Sequence, residues 1–205
     1  KATASASGAL AFGQATQATA HGALATGNGA QSKGVGSTAV GRTAKANNDG
    51  SVAVGFNAEA TGDHAIAIGG DGKGTAFTDS PNTYDGLGNK TTASATNAIS
   101  VGYNAKADKV DGIALGSNSV ANTAAGVAGY DVSAADNRAN KYTALTGNVA
   151  TSTLGAVSVG QSTSVGNETR QITNLAAGTK DTDAVNVAQL RNVNLKIAGN
   201  TNDNN

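Results

Sequence analysis

The chain has 205 residues, including 28 glycines and one proline, with no cysteine, methionine or tryptophan and a formal net charge of zero. Hydrophobic residues make up 39% of it, but many are alanine, so little large apolar surface is available to offset the chain entropy of an ordinary globular core.

The lack of cysteine excludes a disulfide scaffold, and 14 basic against 14 acidic residues do not support a basic nucleic-acid binder. No apolar stretch is long enough for a membrane-spanning helix. Without an initiator methionine or a signal peptide, we expect a piece of a longer protein. A disordered low-complexity chain and a repeat protein both fit this composition.

A fourteen-residue repeat runs through the first two thirds of the chain. Large or β-branched residues stand three positions and one position before an anchor glycine, with a small residue between them, which predicts a short strand. The anchor glycines, at which we predict turns, are Gly13, Gly27, Gly41, Gly55, Gly69, Gly102, Gly116 and Gly160. The best-formed large pairs, predicted as core positions, are Val52, Val54, Ile66, Ile68, Ile99, Val101, Ile113, Leu115, Val157 and Val159.

A second, weaker alternation of small residues follows each anchor glycine. Each repeat is therefore predicted to hold two strands of about four residues and two tight turns, stacked at about 4.8 Å per repeat. A glycine suits a turn that needs a positive φ or a close backbone approach. The fold predicted is all-β, a parallel β-roll in which every rung is too thin to cover all its faces. Self-association into a symmetric homo-oligomer around a common axis is the expected remedy.

Two segments interrupt the repeat, at about 70–96 and at about 122–154. The first contains the single proline, Pro81, together with Phe77 and Tyr84. Such an insertion either carries binding or is a tolerated surface excursion. The tail after residue 169 includes Leu190, Val193 and Ile197, whose spacings of three and four residues suit a coiled-coil seam.

The repeat resembles the YadA-like head of trimeric autotransporter adhesins. The resemblance is carried by SVAVGFNAEATG at 51–62, HAIAIG at 64–69 and NAISVGYNAKA at 97–107, and RQITNLAAGTKDTDAVNVAQL at 170–190 is similar to the neck of the same family. It implies a left-handed parallel β-roll, homotrimeric, with a head over 1–169, a neck over 170–190, and the start of a coiled-coil stalk or an artificial tail over 191–205. The neck positions singled out are Arg170, Asn174, Asp183, Val185 and Leu190.

The resemblance further implies a bacterial surface adhesin that binds extracellular matrix proteins, host cell receptors or other bacterial surfaces. We then expect a Gram-negative outer membrane and a C-terminal anchor domain outside this chain. Some members bind collagen through a repeat close to NSVAIGxxS. The nearest strings here, GSVAVGFNA at 50–58 and NAISVGYNA at 97–105, do not keep the whole pattern.

Motifs for catalysis or for a cofactor are missing from the sequence. His21 and His64 lie at different repeat offsets and are expected to be isolated surface imidazoles rather than metal ligands. GGDGKG at 69–74 is a single copy of a calcium-type glycine–aspartate motif, whereas such sites need stacked copies. No phosphate-binding loop and no serine nucleophile elbow is present. We expect no enzyme, no metal and no cofactor.

Four aromatic residues are predicted as ligand contacts: Phe56 and Tyr103, each directly after an anchor glycine, and Phe77 and Tyr84 in the first insertion. Phe56 and Tyr103 could equally stack on neighbouring rungs. A different class of function is the alternative to an adhesin: the chain is then a structural spacer that holds another binding module away from the cell. An ice-binding solenoid needs a regular threonine row and is disfavoured, because threonine is scattered here.

Overall fold

The structure is a computed structural model that describes residues 1–71, 89–130 and 145–193. It divides into two compact units. The first, called the roll below, comprises residues 1–127 and 152–170, and the second comprises 128–151 and 171–205.

Two parallel sheets, each with eight strands among the described residues, form the roll. One, the long-strand sheet, is built from the residues that precede each anchor glycine. Its strands are β2 (Leu10–Phe12), β4 (Leu24–Thr26), β6 (Thr38–Val40), β8 (Val52–Val54), β10 (Ile66–Ile68), β12 (Ile99–Val101), β14 (Ile113–Leu115) and β16 (Val157–Ser158).

The other, the short-strand sheet, is built from the second alternation, and its strands are shorter than the four residues predicted. They are β1 (Thr3–Ala4), β3 (Gln17–Ala18), β5 (Gln31–Ser32), β7 (Lys45–Ala46), β9 (Glu59–Ala60), β11 (Thr92–Ala93), β13 (Lys106–Ala107) and β15 (Val120–Ala121). The chain alternates between the two sheets, so that each repeat forms one rung. The predicted parallel β-roll is thus confirmed.

The anchor glycines stack in register and need to be glycines. Seven of them have positive φ, for example +127° at Gly13 and Gly102. A Cβ built on Gly69 would lie 2.5 Å from the carbonyl oxygen of Gly102, closer than a real Cβ approaches. Gly160 differs, because its φ lies outside the left-handed region.

The interior of the roll corrects the prediction of its core. The fully buried residue of each long strand is the small one in the middle, such as Ala53, Ala67 and Ser100. Its large neighbours on either side point outward; Ile68 is 42% exposed and Leu115 50% exposed in the single chain. Two short strands and two tight turns enclose too little width for Val, Ile or Leu, so Ala, Ser and Thr fill the inside. The predicted core residues therefore form an outer face.

The first insertion is shorter than predicted. Thr92 pairs with Glu59, and Ala93 pairs with Ala60, so β11 resumes the roll before residue 96. Thr91 is buried and donates a hydrogen bond from Oγ1 to the Gly102 carbonyl at 2.6 Å, as Thr16 does to the Gly27 carbonyl at 2.8 Å. Thr91 occupies the first inward position of this rung.

An antiparallel hairpin follows the last rung. Its strands are β17 (Gln161–Thr163) and β18 (Gly166–Glu168), with Gln161 opposite Glu168. The change from parallel to antiparallel pairing ends the repeat.

The second unit contains little regular structure among its described residues. Ala128 and Thr151 form an isolated antiparallel bridge, and Gly147–Val149 is a single 3-10 turn. An α-helix begins at 187 and is described to 193. None of the described helices combines the length and apolar character that crossing a membrane requires.

Candidate binding surfaces

The outward side chains of the long-strand sheet form one continuous apolar strip, called the aliphatic face below. Parallel register places them in columns, with Ile66 beside Val52 and Ile99, and Ile68 beside Val54 and Val101. Val157, in the last strand of the sheet, is 63% exposed. An exposed apolar strip of this length marks an interaction surface.

A second feature is the column of residues directly after each of the first seven anchor glycines, called the corner column below, where the chain turns from the long-strand sheet to the short-strand sheet. It consists of Gln14, Asn28, Arg42, Phe56, Gly70, Tyr103 and Ser117. Phe56 is half-buried and Tyr103 is 38% exposed. The fold thus brings two of the predicted contact residues into one column, two rungs apart. The other two, Phe77 and Tyr84, lie outside the described residues.

Asparagine side chains at this corner bond from rung to rung, a feature that the sequence analysis missed. Asn57 donates from Nδ2 to Oδ2 of Asp71 at 2.8 Å, and Asn104 donates from Nδ2 to Oδ1 of Asn118 at 3.1 Å. Asn57, Asn104 and Asn118 all have φ between +54° and +59°. Asparagine tolerates this left-handed conformation better than most residues. The signal in the sequence is that each donor and its acceptor, Asn57 with Asp71 and Asn104 with Asn118, are fourteen residues apart.

The outer side of the short-strand sheet carries an ion-pair cluster at the first insertion. Glu59 accepts a bond from Nζ of Lys45 at 2.8 Å on one carboxylate oxygen and pairs with Nζ of Lys90 through the other. Burial by itself raises the pKa of Glu59, but the hydrogen bonds and charges of the two lysines outweigh it and hold that pKa below its ordinary value. Lys90 precedes β11, so this cluster fastens the end of the insertion to the roll.

Arg170, predicted as part of the neck, lies within the roll and holds its last turns together. The guanidinium group donates to Oγ of Ser119 at 3.1 Å, to the carbonyl oxygen of Ser117 at 2.5 Å and to the carbonyl oxygen of Val159. A cleft of about 480 Å³ lies beside it, between the last strands and the hairpin. Arg170 therefore bonds the segment after the hairpin to the two final rungs.

The remaining predicted neck positions belong to the second unit and form a turn followed by a helix start. Asp183 accepts bonds from the backbone N–H groups of Thr179 at 2.9 Å and Lys180 at 3.0 Å, which lower the pKa of its carboxyl group. Asn186 and Gln189 cap the helix reciprocally: each backbone N–H donates to the side-chain oxygen of the other, at 3.1 and 3.0 Å.

Asn174 has a φ of +60°, and Val185 and Leu190 are exposed on this second unit, 67% and 57% respectively.

No group of three or more histidine or carboxylate side chains in the described ranges is placed to hold a metal ion. His64 has a φ of +56°, and its ring lies over Gly50, where an added Cβ would be 2.8 Å from Cδ2. The described part of the chain thus offers shallow repeated surfaces as its candidate sites.

Comparison with known families agrees with this geometry. A model described as the YadA head domain repeat matches residues 4–30, 32–58, 48–71, 86–105, 93–119 and 107–128, which together make up more than half of the chain. A second, described as the coiled stalk of trimeric autotransporter adhesin, matches residues 171–205. The chain belongs to the family of YadA-type trimeric autotransporter adhesins, as its repeat indicates. It is therefore an adhesin-type binding protein of the bacterial cell surface.

Among solved structures, the chain is similar to the collagen-binding domain of the Yersinia adhesin YadA. The two are 27% identical over 87% of this chain and 82% of the other, with a TM-score of 0.43. A search of curated proteins gave no significant match.

Proposed function

We propose that this chain is an adhesin head that attaches bacteria to host extracellular matrix, host cells or other bacteria through many weak contacts. The observation that carries the proposal is the strict rung-to-rung register, which repeats equivalent surface positions every 4.8 Å or so along the roll. Repetition converts weak single contacts into strong attachment when several are made together.

We propose that the head binds as a homotrimer in which the aliphatic faces of the three chains meet around a common axis. Burying exposed side chains such as Ile68 and Leu115 against two further copies removes their apolar surface from water. A trimer also triples the number of contact sites. The short-strand sheet and the corner column then remain available to ligands, with Phe56 and Tyr103 as the proposed aromatic contacts.

Collagen is one candidate ligand, because the similar Yersinia domain is described as collagen-binding. Fibronectin, laminin, cultured cells and the bacterium itself are the other surfaces to be tested. The purified chain should bind at least one of these saturably. The double variant Phe56→Ser, Tyr103→Ser should bind it more weakly, whereas Gln14→Ser in the same corner column should bind as the unaltered chain does.

Unchanged binding by an intact oligomer of the double variant would remove the two aromatic residues as contacts. Failure of the unaltered chain to bind any of these surfaces would instead favour the spacer function, in which the roll only extends another module from the cell.

A further inference from the structure

The aliphatic face consists of two columns of outward side chains, and a polar residue interrupts each column once. One column runs Leu10, Leu24, Thr38, Val52, Ile66, Ile99, Ile113 and Val157, and the other runs Phe12, Thr26, Val40, Val54, Ile68, Val101 and Leu115. The two threonines lie on adjacent strands, β4 and β6, where Thr26 pairs with Val40 and Leu24 pairs with Thr38. Their hydroxyl groups are therefore concentrated at one level of the face.

These two hydroxyl groups lack partners on their own chain. Thr26 and Thr38 are half-buried, and neither forms a side-chain hydrogen bond with the described residues. Thr16 and Thr91, by contrast, donate to backbone carbonyl groups inside the roll. Water satisfies Thr26 and Thr38 on a single chain, but the homotrimer proposed above removes that water. Because an unpaired hydroxyl group in a dehydrated interface is costly, the trimer needs a partner for each of them.

Threefold symmetry supplies those partners. The interfaces of a cyclic trimer are heterologous, so one column of each face meets the other column of the neighbouring copy. Rotation about the axis keeps equivalent rungs at the same height. Thr26 of one copy and Thr38 of the next therefore differ in height by a single strand spacing of about 4.8 Å. Two hydroxyl groups bridge this separation directly or through one water molecule.

We propose that Thr26 of each copy and Thr38 of the neighbouring copy form a hydrogen-bonded layer across the chain boundaries of the homotrimer. The layer selects a second copy of this chain as the occupant of the face, because an unrelated apolar surface leaves both hydroxyl groups unpaired. It also favours one alignment of the three rolls. The aliphatic positions repeat on every rung and match again after a slip, whereas a copy displaced by two rungs or more places its threonines against aliphatic side chains. This inference rests on the homotrimer proposed as the binding form of the adhesin.

The test is a double-mutant cycle on the full chain, with thermal unfolding followed by circular dichroism and the solution mass measured by light scattering. Thr26→Val and Thr38→Val each keep the shape of the side chain and remove one hydroxyl group, and the double variant removes both. Thr19→Val is the matched control, because it makes the same exchange at an exposed position outside the aliphatic face.

Each single variant should lower the unfolding midpoint of the trimer by about 3 °C or more, because it leaves one hydroxyl group without its partner. The double variant should recover that loss, and Thr19→Val should leave the midpoint unchanged. A single variant that no longer forms a trimer while the double variant does has the same meaning. Additive effects of the two substitutions, or single variants as stable as the unaltered trimer, would overturn the layer.

The solution mass and attachment to matrix proteins and cells, measured on the same samples, separate this inference from the proposed function. A monomeric unaltered chain would overturn the layer together with the homotrimer. Attachment by a trimer in which the two effects are additive refutes the layer alone. Coupled threonines in a trimer that attaches to none of the tested surfaces support the layer and refute the adhesin function.

Discussion

At the scale of single residues, the fold depends on side chains that are small or absent. The fully buried side chains of the described residues are those of alanine, serine and threonine, while the valines, isoleucines and leucines of the same strands face outward. Ser100 shows how a hydroxyl group is accommodated inside, since its Oγ donates to the carbonyl oxygen of Thr92 at 2.7 Å. The narrow interior gains from close packing of backbone and small groups rather than from large apolar side chains.

The two kinds of glycine predict opposite responses to alanine. Gly55→Ala should destabilise the roll by about 3 kcal/mol or more, because φ is +124° and the new Cβ meets the carbonyl group of Gly69. Gly70→Ala should change the free energy of unfolding by no more than about 0.5 kcal/mol, because its φ lies outside the left-handed region and an added Cβ would meet Phe56 only at ordinary distances. Chemical denaturation of both variants checks this, and equal losses would refute the distinction.

Enlarging the interior column should also be poorly tolerated. Ala67→Leu is expected to cost about 3 kcal/mol by overpacking, since Ala67 is fully buried between Ala53 and Ser100. Ala67→Ser is the matched control and should stay within about 1 kcal/mol, because the new hydroxyl can donate to the Glu59 carbonyl as Ser100 does to that of Thr92. Thermal unfolding distinguishes them, and a Leu variant as stable as the Ser variant would contradict the narrow interior.

At the scale of elements, the repeat, both strands of each rung and seven of the eight turn glycines are predictable, because a fourteen-residue period with fixed small and large positions leaves few alternatives. Which side of each strand faces inward cannot be predicted from the sequence. Alternation gives two faces, and only the width of the closed rung decides which of them is buried. The end of the first insertion is predicted too late because Gly72 and Gly74 stand three and five residues after Gly69, where the other repeats have small residues. In the structure, Thr91 and Ala93 take these two places. Pairs across rungs, such as Asn57 with Asp71, become visible only after the register is fixed.

The Glu59 cluster predicts acid sensitivity where the first insertion rejoins the roll. The pKa of Glu59 is lower in the folded chain than in the unfolded one, so its contribution is complete at neutral pH and is lost as the pH falls below about 4. The midpoint of unfolding should therefore fall less steeply between pH 7 and pH 3 in Glu59→Gln than in the unaltered chain. Parallel curves for the two proteins would show that the cluster does not stabilise the fold.

Arg170 predicts a local effect at the other end of the roll. Arg170→Gln removes donors to Ser117, Ser119 and Val159, so hydrogen exchange should accelerate in β15 to β18. Exchange in β2 to β8 should stay the same, because each rung contacts only its neighbours. Arg191→Gln, which removes the same charge from the helix, serves as the control. Equal rates of hydrogen exchange in the unaltered chain, Arg170→Gln and Arg191→Gln would show that Arg170 does not stabilise the packing of the hairpin on the last rungs.

At the scale of the whole molecule, the inverted packing supplies a physical reason for the homotrimer proposed above, in a chain with so few large apolar residues. Those residues are concentrated on the outer aliphatic face, from Val52 to Val157, instead of inside the roll. A single chain leaves them in water, whereas three chains around an axis supply the core that one chain lacks. The family match to a trimeric adhesin stalk over residues 171–205 fits the same symmetry.

The most direct measurement is the solution mass of the purified chain by light scattering, with circular dichroism on the same sample. We predict a β-rich particle close to three times the chain mass of 19.8 kDa. A β-rich particle of a single chain mass would contradict the shared aliphatic face, and with it the multivalent head, even though the roll itself would stand.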